Sequence, residues 1–160
     1  MELVRGLTVG GLLHQTASRY PERPALIYRK RIWTYAELDS ETDEIARGMM
    51  ASGIGKGEHT AIWAGNFPQT ILTLYSLLKI GAVPVMIGLR DKGTDLMSRI
   101  RQSGADYLFY SGTIRQIKAN QVVQTADLEG VREAVLINKT SEKDVIGLKD
   151  IRERGREISE

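Results

Sequence analysis

Apolar positions along the chain alternate between helical and extended spacing. Residues 8–19 read as a helix with Leu12, Leu13 and Ala17 on one side. Ala25 to Tyr28 and Ile32 to Thr34 are short β-prone runs around the cationic tip Arg29–Lys30–Arg31, the pattern of a hairpin. Thr34 then fits an N-cap, and Glu37 three residues on completes a capping box. The helix that follows carries Tyr35, Leu38, Thr42, Ile45 and Met49 on one stripe. Asp39, Glu41, Asp43, Glu44 and Arg47 fall outside that stripe and are expected to face water, and Gly53 is the stop signal.

Thr60 to Ala64 reads as a short apolar strand, and Asn66 with Pro68 opens a new helix. Ile71, Leu72, Leu74, Tyr75, Leu77 and Leu78 make that helix apolar nearly all round, so it is expected to be buried. Gly81 ends it, and Val83 to Ile87 is the next strand. Thr94 to Ser103 forms a helix closed by Gly104, and Tyr107 to Tyr110 another strand. A weaker helical stretch, a strand at Ala134 to Ile137 and a polar tail at about 140–160 complete the chain, with Leu148 to Glu160 as a tail helix. Strands alternating with helices predict an α/β fold, a mostly parallel open sheet with helices on both faces. Unbroken apolar strands fit burial on both sides.

Length and composition change this picture little. The 160 residues are one ordinary domain's worth, with 42% apolar and 26% charged residues, as in ordinary globular chains. The net charge is +2, and residues 1–80 hold 9 basic against 8 acidic side chains, so neither half is basic enough to expect a nucleic-acid partner. The absence of cysteine excludes thiol chemistry and disulfides, and leaves the cytoplasm as the default location. Ile71 to Leu89 is nearly long enough to span a bilayer. Lys79 and the break Gly81–Ala82–Val83–Pro84 argue instead for a buried helix and strand, with no transmembrane segment.

Several chemical candidates fall away. Gly53-Ile54-Gly55-Lys56-Gly57 resembles a phosphate loop, but it follows a helix and precedes a strand, the reverse of the required order. His14 and His59 are the only histidines and lack ligand spacing, so no metal site is expected. Glu41, Asp43 and Glu44 read as the solvated face of their helix.

Trp33-Thr34-Tyr35-Ala36-Glu37-Leu38, Ile45-Ala46-Arg47-Gly48 and the run Gly53 to Ile62 resemble the N-terminal region of the adenylate-forming (AMP-binding) enzymes, acyl-CoA synthetases among them. Asn66-Phe67-Pro68, Leu77 to Pro84 and Ile100 to Phe109 continue the resemblance in order over about residues 8–112. Met86-Ile87-Gly88-Leu89-Arg90 departs from the family's common N-P motif, and Glu58 replaces a usual Asp.

The resemblance implies the N-terminal part of an acid–thiol ligase that activates a carboxylic acid with ATP and Mg2+ and passes the acyl group to CoA. The family's phosphate loop, metal-binding Glu, ribose-binding Asp and mobile Lys lie downstream of this region. The chain is therefore expected to carry no catalytic residue and no cofactor of its own, and to partner the remainder of a ligase. Ser111-Gly112-Thr113-Ile114-Arg115-Gln116-Ile117-Lys118 mimics the phosphate loop, yet Arg115, Ile117 and Ala119 stand where Gly, Pro and Gly belong, so a strand-to-helix turn is expected. The resemblance also places Gly88, Leu89, Arg90 and, more loosely, Arg115 at the entrance for the CoA nucleotide. The alternative is a stand-alone α/β binding or regulatory module without ligase activity. Cutting a larger fold would leave apolar surface bare around the three strands in residues 60–110, with a homodimer as the simplest outcome.

Overall fold

The computed structural model describes residues 8–91, 93–114, 117–138 and 145–157. Helix α1 (Val9–Arg19) begins at Thr8, whose hydroxyl accepts from Gly11 N. Only a narrow strip of α1, Gly10, Leu13 and Ala17, faces inward. Leu12, expected on the buried side, is 52% exposed, because α1 lies against the ends of α2 and α3 and not across the sheet. Strands β1 (Pro24–Tyr28) and β2 (Arg31–Thr34) form the expected antiparallel hairpin. The capping box opens α2 (Tyr35–Ala51): Glu37 N donates to Thr34 Oγ1, and Thr34 N donates to Glu37 Oε2.

Next come β3 (His59–Trp63), α3 (Pro68–Lys79), β4 (Val83–Met86), α4 (Thr94–Ser103) and β5 (Tyr107–Tyr110). The α3 N-cap is Phe67 and not Asn66, since Pro68 takes the first helical position. The stretch expected to be helical after β5 first forms the two-residue pair β6 (Thr113–Ile114) and β7 (Ile117–Lys118), then the short α5 (Ala119–Thr125). Strand β8 (Glu133–Leu136) and α6 (Leu148–Glu157) follow.

Four strands make one parallel sheet in the order β4-β3-β5-β8. Alternation along each strand divides the core. Ile62, Phe109 and Val135 pack against α1, α2, α3 and α6, whereas Ala61, Trp63, Leu108, Tyr110 and Leu136 pack against α4 and α5. Both faces are thus covered, as the apolar strands require. Among the described strand residues of this sheet, the large apolar side chains left exposed are Val83 and Met86 at the β4 edge. There Val83 N and Ile87 N bond inward to β3, which turns Pro84, without an N–H, to the open edge and blunts it.

Two expectations for α2 fail for one reason. Asp39 does not face water: it is buried, and its carboxylate takes Lys79 Nζ at 2.6 Å and His14 Nδ1 at 2.9 Å. Asp43 also accepts from Lys79, whose side chain is only 10% exposed. Burial pushes the Asp39 pKa up, but the Lys79 and His14 hydrogen bonds outweigh it and hold the carboxyl below its ordinary value.

Glu41 and Glu44 likewise meet protein. Arg152 of α6 reaches Glu41 at 3.0 Å and Glu44 at 3.5 Å, and Arg156 also bonds Glu44. The helices touch backbone to backbone, since a Cβ on Gly48 would lie 1.8 Å from Ile151 O, and one on Gly155 2.6 Å from Gly48 N.

Gly48→Ala is therefore expected to lift α6 from α2 and to cost about 3 kcal/mol, the upper end of ordinary overpacking, read as a lower urea midpoint. An unchanged midpoint would seat α6 elsewhere. Lys79→Met strands a buried carboxylate and should destabilise by about 3 kcal/mol at neutral pH. A depressed folded-state pKa stabilises above the unfolded value and is lost as pH falls through the folded one. The difference between wild type and variant should accordingly shrink as pH drops below about 4, measured by urea titration across pH.

A candidate functional site at the carboxyl end of the sheet

The chain leaves β3 through α3 toward β4, and leaves β5 through α5 toward β8. Adjacent strands whose connections depart in opposite directions make a switch point, where open α/β sheets bind ligands. The crevice lies between the Ala64–Phe67 loop and the Ser111–Gly112 loop, with Asn138 beyond the end of β8.

Its polar groups are largely spent on one another. Fully buried Ser111 donates its N–H to Trp63 O at 3.2 Å and accepts from Gly65 N through its hydroxyl at 3.3 Å. Thr70 Oγ1 donates to Gly65 O at 2.7 Å. Gly112 N donates to Asn138 Oδ1 at 2.8 Å, and Ala119 N donates to Gly112 O at 3.0 Å. A phosphate cradle needs free N–H groups converging on one point, with glycines at positive φ. Gly65 and Gly112 N–H groups are already bonded, and neither glycine has a positive φ. The segment after β5 leads into the small β6–β7 pair before α5, where a direct strand-to-helix turn was expected. Among the described residues, no group of three His, Cys, Asp or Glu could hold a metal ion. These residues do not fit ATP with Mg2+.

Three of the four sequence candidates for the CoA nucleotide lie in the loop after β4, at the carboxyl end of the sheet. Gly88, Leu89 and Arg90 form the turn leaving β4, where Asp91 N donates to Gly88 O at 3.0 Å. Leu89 packs against the α4–α5 side of the core. Arg90 is exposed and, among the described residues, has no ion-pair partner. Arg115 lies outside the described residues. The loops after β4 and β5 share one end of the sheet, their strands separated by β3 and so about 10 Å apart.

Asn138, which sequence reasoning did not single out, also borders a cavity of about 330 Å³ with Gln69, Trp33 and Arg152. The available signal was a polar residue directly after the apolar run Ala134 to Ile137. His14 and His59 are engaged in the fold, His59 Nδ1 donating to Ser103 O at 2.5 Å.

The family profile described as AMP-binding enzyme matches residues 13–156, nearly the whole chain. The chain belongs to that family. Among curated relatives, it is 38% identical over 120 residues to YngI of Bacillus subtilis (strain 168), an acyl-CoA synthetase by designation, covering 74% of this chain and 22% of YngI. It is 29% identical over 119 residues to the acyl-CoA ligase sidI of Aspergillus fumigatus, covering 73% and 20% respectively. The chain thus spans about a fifth of these relatives' length.

Among solved structures, the coronafacic acid ligase of Pectobacterium brasiliense superposes with a TM-score of 0.80 at 20% identity, over 92% of this chain and 29% of that one. The N-terminal subdomain of Klebsiella oxytoca NpsA, complexed with 3-hydroxybenzoyl-AMSN, does so at 0.71 and 21% identity, over 91% and 31%. The AMP-binding fold is shared. No helix among the described residues of this family member is long and apolar enough to cross a membrane.

Asn138→Ala would leave the Gly112 N–H without its acceptor. A loss of about 1–3 kcal/mol is expected, read as a lower thermal midpoint. An unchanged midpoint would mean that the amide finds another partner.

Proposed function

We propose that this chain is the N-terminal part of an acyl-CoA synthetase-like adenylate-forming ligase, and that it serves as scaffold and not as catalyst. The observation that carries this reading is the state of the crevice: its Gly65, Gly112 and Ala119 amides are bonded within the fold, in a chain that spans about a fifth of the ligases it matches. A phosphate-binding element then has to come from elsewhere in a ligase. In the whole enzyme, ATP and Mg2+ would activate a carboxylic acid, a fatty acid in the simplest case, before thioester formation with CoA in the cytoplasm. Partners would be the remaining ligase chain and these substrates.

Within that reading, the turn Gly88–Leu89–Arg90, with Arg115, lines the entrance for the CoA nucleotide. Arg90 supports the assignment because its guanidinium is exposed and has no carboxylate to satisfy it among the described residues. A forked cation suits a ribose phosphate.

Purified 1–160 is expected to catalyse no ATP–pyrophosphate exchange with any carboxylic acid. Exchange abolished by Lys118→Ala would show instead that the segment after β5 is a working phosphate loop. For the nucleotide, Arg90→Ala or Arg115→Ala should weaken CoA binding by roughly 10- to 100-fold in titration calorimetry, the scale of a hydrogen bond to a charged group. Unchanged affinity in both variants would make these surface arginines.

A further inference from the structure

We propose that the outer face of the β1–β2 hairpin docks on an anionic lipid surface. Ile27 and Ile32 stand directly opposite each other in the antiparallel register, so their side chains project together from one face. They are 64% and 53% exposed. The inner face is apolar as well, with Leu26 against the core and Trp33 buried. A strand pair with one solvated face places polar residues on it, and this hairpin does the opposite. One exposed isoleucine needs no explanation, but two directly opposite each other on the outer face of a hairpin form a patch.

Charge identifies the occupant. Pro24 to Thr34 holds three basic residues and no acidic one. Arg31 is turned inward, over the Trp33 ring at 3.9 Å and paired with Glu41 at 2.6 Å. Arg29 and Lys30 form the turn beside Ile27 and Ile32; Arg29 lies over the Tyr28 ring at 5.3 Å, and neither has an ion-pair partner among the described residues. Arg29 takes a φ of 56° there, which fixes the tip's shape.

An apolar pair beside cations that no carboxylate neutralises is the composition of an interfacial anchor. The isoleucines would enter the headgroup–acyl boundary while the cations meet lipid phosphates. A second copy of the chain fits less well, since a two-fold contact through the isoleucines brings two basic tips to the same patch.

The test is co-sedimentation of the purified chain with vesicles of phosphatidylcholine alone or mixed equally with phosphatidylglycerol, at low ionic strength. Binding is expected only to the phosphatidylglycerol vesicles and should weaken as salt is added. Ile27→Ser with Ile32→Ser should lower the partition coefficient by about tenfold or more, with thermal unfolding unchanged because both side chains are exposed. Arg29→Glu with Lys30→Glu provides an independent variant and should abolish binding. No binding to phosphatidylglycerol vesicles, or binding that survives both double variants, overturns the proposal. Concentration-dependent dimerisation lost in the isoleucine variant, without vesicle binding, would also overturn it and assign the face to a second copy.

Discussion

Backbone meets backbone where α2 crosses α6, and the closure of the sheet's helical face depends on that contact. Gly48 and Gly155 carry no Cβ, so the two helices approach closely enough to bury Ile151 completely among Ile45, Met49 and the strands. Arg152, Arg154 and Arg156 then fall opposite Glu41, Glu133 and Glu44. Partly buried pairs that keep contact with solvent, as these do, contribute little individually, about 0–1 kcal/mol each. Steric fit and apolar burial seat the helix, and the charges fix its register. On the same helix α2, the buried Asp39–Lys79 pair ties α3 into place, so α2 is gripped from two sides.

The parts of this architecture governed by local chemistry were legible in the sequence. Thr34 and Glu37 announce the start of α2, Gly104 ends α4, and the apolar run Tyr107 to Tyr110 is β5 as read. What the sequence concealed depends on partners far along the chain. Asp39 looks solvated until Lys79 arrives from 40 residues away, and Glu41 until Arg152 arrives from 111. A polar side chain on a helix reads as water-facing unless its distant counter-ion is known. For that reason the tail read as a polar helix with no assigned packing face, although Leu148, Ile151 and Gly155 are turned inward. The β6–β7 pair was hidden differently: two-residue strands carry no periodicity to read.

At the candidate site the division is the same. The location follows from the strand order, and Gly88 to Arg90 form the turn leaving β4 at the same end of the sheet. The internal bonds that decide its chemistry, Gly65 to Ser111 and Gly112 to Asn138, join loops 46 and 26 residues apart and have no local signature. Family membership was readable because several weak motifs occur in one order, and the profile match over residues 13–156 agrees with it. In the crevice of this family member the Gly65, Gly112 and Ala119 amides are bonded within the fold.

Helix α6 is an integral part of the fold. Native-state hydrogen exchange, resolved by residue, tests that most directly. Amides of 151–157 are expected to exchange at rates close to those of β3 and β5, as one cooperative unit. Exchange of those amides at the rate of unprotected peptide, with β3 and β5 still protected, would contradict it.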